Sequence, residues 1–224
     1  EVIVRLESSG GMVHAYGLAA AQLARIKEAG LNLTVCIDKV AASGGYMMAC
    51  VADKILAAPF AVVGSIGVVA QVPNFHDLLE KHDIDVEVFT AGKYKRTVTV
   101  FGENTEEDKQ KFQQELEETH KLFKDFVQKY RPSLDVEQVA TGEHWYGEDA
   151  ITRNLVDALQ TSDSYILDKM IDSELYAIQS RQKPTIAQKL GISQAAQAVV
   201  ATAIDKLPDA LAKLESAKMP MVKK

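Results

Sequence analysis

Short apolar runs alternate with stretches of helical periodicity through the first part of the chain. The apolar runs that predict strands cover residues 2–6, 33–37, 54–57, 62–69 and 85–89. Helical spacing of apolar side chains covers residues 13–29, 44–51 and 74–82. Strands and helices that alternate in this way favour a mainly parallel sheet with helices packed against it. We therefore expect an α/β fold.

One long helical pattern dominates the second part of the chain. Residues 91–104 are rich in Gly, Lys, Arg and Thr, lack helical periodicity and predict a surface loop. A helix is expected from Thr105 to Tyr130, capped by Asn104 or Thr105, with acidic residues in its first turn. Its predicted apolar stripe comprises Phe112, Leu116, Leu122, Phe123, Phe126 and Val127. Shorter helices are expected at residues 136–140, 147–154 and 164–172.

The composition changes after Arg181, where Ala, Gln and Lys dominate and prolines interrupt the helical pattern. We therefore expect a folded domain at residues 1–180 and a helical C-terminal tail at residues 181–224. Amphipathic stretches in this tail suit contact with a neighbouring subunit, with a membrane surface or with the tail's own domain. The pattern does not choose among these three.

Overall composition restricts the function classes only modestly. The 224 residues are 47% hydrophobic and 25% charged, which is typical of a soluble globular protein. A net charge of -6 without a basic stripe argues against nucleic acid as a partner. Cys36 and Cys50 both lie in apolar runs, which predicts two buried free thiols.

Two glycine-rich turns are the first candidates for chemistry. Ser43 stands between an apolar strand and an apolar helix and is followed by Gly44 and Gly45. Free N–H groups and the helix dipole at such a position suit an oxygen nucleophile and the oxyanion that it forms, although a plain capping serine fits the same pattern. Gly10 and Gly11 end the first strand, where one N–H, together with that of Gly44, would complete a two-donor oxyanion hole. An ordinary strand-to-helix turn is the alternative.

A serine nucleophile needs a base, and the sequence offers two kinds. Of the five histidines, His76, His82 and His120 fall on polar helical faces and are predicted to be ordinary surface residues. The loop from Gly92 to Arg96 supplies lysines, which act as bases when desolvation or nearby positive charge lowers their pKa. Alternation places Lys93 and Lys95 on the same side of the loop, so the pattern does not choose between them.

Four motifs occur in a fixed order: Glu-Ser-Ser-Gly-Gly, Ala-Ala-Ser-Gly-Gly-Tyr, Val-Gly-Ser-Ile-Gly-Val and Gly-Lys-Tyr-Lys-Arg. Together they resemble the signal peptide peptidase A family of serine proteases, and most of all its SohB branch, over residues 2–159. The resemblance implies a ClpP/crotonase-like ββα spiral with Ser43 as the nucleophile and Lys95 as the general base. It also implies that Ser65 holds the lysine amine and that Gly10 belongs to the oxyanion hole. Ser9 replaces the proline that is common in the family's first motif.

The same resemblance sets expectations for partners and location. It implies hydrophobic peptide substrates, such as signal-peptide remnants or membrane-protein fragments, and neither a cofactor nor a metal. Family members form membrane-associated homo-oligomeric rings in which serine and lysine can come from neighbouring protomers. A bacterial inner-membrane location with a periplasmic catalytic domain, and an anchor upstream of Glu1, are therefore expected. The rival hypotheses are a crotonase-like acyl-CoA enzyme and a non-catalytic membrane-associated scaffold of the same fold.

Overall fold

The computed structural model describes residues 1–178, of which Glu1–Glu174 form one compact unit. The predicted tail at residues 181–224 lies outside the described residues. In chain order the strands are β1 (Val2–Arg5), β2 (Leu33–Ile37), β3 (Val40–Ala42), β4 (Lys54–Ala57), β5 (Val62–Gly64), β6 (His144–Tyr146) and β7 (Ala158–Leu159). The helices are α1 (Val13–Glu28), α2 (Gly44–Ala49), α3 (His76–Glu80), α4 (Glu106–Tyr130), α5 (Val136–Val139), α6 (Gly147–Thr152) and α7 (Ser162–Lys169).

The strands form two sheets. The first has the order β1-β2-β4-β7, and all of its neighbouring strands are parallel. The second has the order β3-β5-β6, in which β3 and β5 are parallel and β6 is antiparallel to β5. The prediction of an α/β fold with mainly parallel strands and a long helix is therefore confirmed.

The chain passes from the first sheet to the second in successive turns of a spiral. Its first turn runs from β1 to Ser8, which pairs with Ala41 in a single parallel bridge. The second turn runs from β2 to β3, and the third from β4 to β5. Each turn adds one strand position to each sheet, and a helix follows in the first two turns. This is the ββα spiral expected from the family resemblance.

The core lies around the fully buried strand β2. All five of its residues are buried, as expected for a parallel strand that is covered on both faces. Helix α2 is also largely buried, and the hydroxyl of Tyr46 on that helix donates a hydrogen bond of 2.9 Å to the carbonyl of Leu155. Cys36 and Cys50 are buried and free, which confirms their prediction.

Helix α4 begins at a capping box, in which the Thr105 hydroxyl accepts from the Asp108 N–H and the Asp108 carboxylate accepts from the Thr105 N–H. Phe123 and Val127 anchor the helix in the core. Leu122, predicted for the apolar stripe, is instead 69% exposed. Among the described residues, no helix is both long and apolar enough to cross a membrane.

The structure differs from the predicted elements in three places. Residues 85–89 form no strand, because no other strand within residues 1–178 pairs with them, and Val86, Val88 and Phe89 are exposed. Strand β5 ends at Gly64 rather than at residue 69, because the next residue, Ser65, has a left-handed φ of 51°. Strands β3, β6 and β7 were not predicted, since two or three residues are too short to show a period.

Candidate active site

Three of the sequence motifs meet at one edge of the second sheet. Gly10 follows the Ser8 bridge, Ser43 follows β3, and Ser65 follows β5. These strand positions are parallel neighbours, so their carboxyl ends lie side by side, which is where ligands bind in open α/β sheets. All three residues line one pocket of about 950 Å³.

Ser43 occupies the sharp turn between β3 and α2. Its backbone has φ 52° and ψ -121°, a conformation that a residue with a side chain rarely adopts. Strain of this kind costs about 1–3 kcal/mol and clusters at functional sites. Two hydrogen bonds hold the turn: the Ser43 N–H donates to the Gly64 carbonyl at 2.8 Å, and the Ser43 carbonyl accepts from the Met47 N–H at 3.0 Å.

The predicted oxyanion-hole glycines lie against each other. Gly44 is the first residue of α2, so its N–H has no acceptor within the helix. Gly10 has φ +95°, and a Cβ added to it would lie 2.9 Å from the Gly44 nitrogen. The Gly10 N–H donates to the Ser8 Oγ at 3.3 Å, a long hydrogen bond. The two glycine turns thus have the close approach that a shared anion-binding site requires.

Ser65 repeats the positive φ of Ser43 one turn later in the spiral. Its φ is 51°, and it follows Gly64, whose φ is +105°. The Ser65 N–H donates to the carbonyl of Glu143 at 2.6 Å, just before β6, and fixes the pocket edge. Within residues 1–178, only two other non-glycine residues have a positive φ, namely Asp83 and Asn154, and neither lines the pocket.

The pocket walls are mainly apolar. Six hydrophobic side chains contribute to them: Met12, Val13, Met47, Val68, Val69 and Phe123. The mouth is open, since Met12 is 67% and Val69 is 89% exposed. A pocket with this lining suits an apolar side chain of a bound ligand.

The structure of one chain does not bring Lys95 to Ser43. Lys95 is exposed in the loop between α3 and α4, its N–H donates to the Gly92 carbonyl at 3.1 Å, and it is not among the described residues that line the pocket. Lys93 forms an ion pair with Glu107 at 2.8 Å. Its hydrogen bond to Glu107 raises the pKa of Lys93, whereas a base at neutral pH needs a lowered one.

His120 is a pocket residue that sequence reasoning missed. The prediction that it lies on the surface is wrong: it lines the pocket, and its Nε2 is buried without a hydrogen-bond partner in the part of the chain that the structure describes. Helical spacing offered a signal, because His120 lies four residues after Leu116 and three before Phe123 on α4. Because histidine is polar, it was not assigned to the apolar stripe of α4.

Within residues 1–178, one group of possible metal ligands lies outside the pocket. His76, Asp77 and Glu80 on α3 have ligand atoms within 4.8 Å of one another. None of them lines the pocket. Exposed acidic groups of this kind are common in proteins without an ion, so the grouping alone assigns no metal site.

The spiral fold and the pocket around a strained serine define an α/β protein with a candidate nucleophile at Ser43. Sequence comparison gives the family. Residues 25–176 match the profile of peptidase family S49, and residues 1–23 match the N-terminal profile of the same family. The chain belongs to peptidase family S49.

Individual relatives agree with this assignment. The chain is 64% identical over 191 residues to a probable protease SohB of Haemophilus influenzae, which covers 85% of this chain and 54% of that protein. It is 55% identical over 193 residues to a probable protease SohB of Buchnera aphidicola from Acyrthosiphon pisum, covering 86% of this chain and 57% of that protein. The chain thus spans about half the length of the curated relatives it matches. The resemblance to the SohB branch is confirmed.

Proposed function

We propose that this protein is a serine endopeptidase in which Ser43 and Lys95 form the catalytic dyad. The Ser43 Oγ attacks the peptide carbonyl while the neutral amine of Lys95 accepts its proton. The Gly44 N–H and the Gly10 N–H stabilise the oxyanion, which shares the Gly10 donor with the Ser8 Oγ because that hydrogen bond is long at 3.3 Å. Lys95 then gives the proton to the leaving amine, and water hydrolyses the acyl-enzyme. The observation that carries this proposal is the strained backbone of Ser43 in an apolar pocket.

Lys95 is the better of the two lysines on chemical grounds. Lys93 is held as a cation by Glu107, so its amine has no free lone pair to accept a proton. Lys95 has neither an ion pair nor a side-chain hydrogen bond with any residue among 1–178, so its amine is available to another site. We propose that Ser65, which lines the same pocket as Ser43, accepts a hydrogen bond from that amine.

The separation between Lys95 and the pocket supports an assembled active site. We propose that the protein forms a homo-oligomeric ring in which Lys95 of one protomer serves Ser43 of its neighbour. The segment around Lys95, residues 84–101, carries several exposed hydrophobic side chains, which a neighbouring protomer would cover: Ile84, Val88, Phe89, Tyr94 and Phe101. Burial against that neighbour would also exclude water from the Lys95 amine, which favours the neutral form that a base requires.

The apolar pocket supports hydrophobic peptides as substrates. Six hydrophobic side chains line it, and no carboxylate does so among the described residues, so a cationic substrate side chain would find no ion-pair partner there. We propose that the substrates are remnants of signal peptides or fragments of membrane proteins, cleaved on the periplasmic side of a bacterial inner membrane. The absence of a carboxylate from the described pocket lining also disfavours a crotonase-like acyl-CoA enzyme.

A non-catalytic scaffold of the same fold is the second candidate, and the exposed position of Lys95 favours it. Mixing two inactive variants separates the hypotheses. Ser43→Ala and Lys95→Ala proteins are each expected to lose peptide hydrolysis, whereas Lys93→Ala is expected to keep it. Co-assembled Ser43→Ala and Lys95→Ala chains should regain hydrolysis, because some interfaces then join an intact serine to an intact lysine. Full activity of Lys95→Ala would contradict the dyad, and unrestored activity in the mixture would contradict its sharing between protomers.

A further inference from the structure

One aromatic ring on α1 contacts both glycine turns of the candidate site. A Cβ added to Gly11 would lie 2.9 Å from Cε2 of Tyr16. A Cβ added to Gly44 would collide with the same ring at Cγ and would lie 2.8 Å from the Tyr16 Cβ. Both turns therefore rest on Tyr16 at distances that only glycine permits.

The hydroxyl of Tyr16 is tied to the same region through Ser8. The Tyr16 hydroxyl and the Ser8 Oγ are hydrogen-bonded at 2.8 Å, and the Ser8 Oγ also accepts from the Gly10 N–H at 3.3 Å. The Ser8 backbone is fixed to β3, since its N–H donates to the Val40 carbonyl at 2.9 Å and its carbonyl accepts from the Ala42 N–H at 3.0 Å. Tyr16 thus connects the Gly10 turn to β3, the strand that ends just before Ser43.

We propose that Tyr16 is a positioning residue for the oxyanion hole, an inference that rests on the proposed peptidase function. Its ring sets the separation between the turn at Gly10 and Gly11 and the Gly44 N–H. Its hydroxyl, through Ser8, fixes the orientation of the Gly10 turn. Tyr16 is not among the described residues that line the pocket, so it acts through the glycines and not on the substrate.

The separation between the two glycine turns matters because an oxyanion donor is effective only over a narrow range of distances. Each donor must lie about 2.7–3.1 Å from the oxyanion, and loss of one donor lowers kcat by about 10²–10³-fold in other hydrolases. A tilt of one turn weakens a donor without removing it. We therefore expect about a tenfold loss of kcat when the hydroxyl link is cut, with little change in KM, because the donors act in the transition state.

The test compares Tyr16→Phe, which keeps the ring, with Ser8→Ala, which removes the other end of the link. Tyr130→Phe is the matched control, since the Tyr130 hydroxyl makes no hydrogen bond within residues 1–178. Peptide hydrolysis and the inhibition constant of a peptide boronate, which forms a tetrahedral adduct with serine, are measured per folded active site. Both link variants should lose about tenfold in kcat and in boronate affinity, and the double variant should lose no more than either alone.

The outcomes separate this inference from the proposed function. Wild-type kcat and boronate affinity in Tyr16→Phe would overturn the role of Tyr16, as would losses that multiply in the double variant. A lowered melting temperature with unchanged kcat per active site would show a merely structural role and would also overturn it. If the wild-type assembly neither hydrolyses peptides nor forms the boronate adduct, the proposed function fails, and the role of Tyr16 fails with it.

Discussion

Gly10 and Ser43 are in direct contact across two turns of the spiral. A Cβ added to Gly10 would lie 2.7 Å from the Cβ of Ser43 and 2.9 Å from the Ala42 carbonyl oxygen. Contacts between a real Cβ and another carbon essentially never fall below 3.0 Å. Glycine at position 10 is therefore a condition for the observed position of Ser43.

Gly10→Ala is expected to lose at least about a hundredfold in kcat/KM, because the clash displaces an oxyanion donor. Gly30→Ala is the matched control, since Gly30 also has a positive φ of +78° but has no atom within 4 Å of the added Cβ. The control should lose about 1 kcal/mol of unfolding free energy from its backbone conformation and keep its activity. Urea unfolding and peptide hydrolysis measure both effects, and an active Gly10→Ala protein would contradict the assigned role.

The two loop lysines should respond differently to arginine. Arg keeps its proton at all accessible pH values, so Lys95→Arg should be inactive throughout the pH range. Lys93→Arg should keep kcat within a few-fold and leave the pH profile unchanged, because the pKa of Lys93 is raised by Glu107 and the amine is already a cation. A pH–rate profile that moves in Lys93→Arg would show that the wrong lysine had been chosen.

A partly buried ion pair holds the end of α4 to the first sheet. The Arg131 guanidinium donates to both carboxylate oxygens of Asp157, at 2.9 and 2.8 Å, and Asp157 also accepts from the Ile55 N–H at 2.7 Å. Asp157→Ala should cost about 3 kcal/mol of unfolding free energy, because it leaves a buried guanidinium unpaired. Asp125→Ala, which removes an exposed pair with Lys121, should cost no more than about 0.5 kcal/mol. Equal losses of unfolding free energy in the two variants, measured by denaturant titration, would contradict this prediction.

Acid should weaken the first sheet through Glu1. Partial burial alone would raise its pKa, but hydrogen bonds from Lys169, Thr34 and Tyr165 lower the pKa from 4.5 to about 2. A lowered folded-state pKa stabilises the protein above the unfolded pKa, and this stabilisation is lost as the pH falls from about 4.5 to about 2. Glu1→Gln should flatten the pH dependence of unfolding in that window, whereas Glu103→Gln, at an exposed position, should leave it unchanged. An unaltered slope in Glu1→Gln would contradict the assignment.

Local sequence patterns predicted much of the fold and two residues of the candidate site. Ser43 and Gly10 could be located because glycine pairs at strand ends mark the edge where parallel strands present ligands. The long helix followed from its cap and its stripe. His120 was missed because a polar residue on an apolar stripe resembles a surface residue until the pocket beside it is known.

Features that depend on distant pairing could not be predicted in the same way. Residues 85–89 have the alternation of a strand, but a strand needs a partner, and the described part of the chain supplies none. The short β6 exists because it pairs with β5 from far along the chain. The choice of Lys95 over Lys93 came from family resemblance, and the structure adds a physical reason in the ion pair of Lys93 with Glu107.

The most direct measurement is covalent labelling of the assembled protein with a fluorophosphonate, followed by mass spectrometry of its peptides. We expect one adduct, on Ser43, with loss of peptide hydrolysis in proportion to labelling. Ser43→Ala should be neither labelled nor active, and Ser65→Ala should still be labelled, but more slowly, because only the lysine amine loses a partner. Labelling of a different residue, or peptide hydrolysis that persists in Ser43→Ala, would contradict Ser43 as the nucleophile.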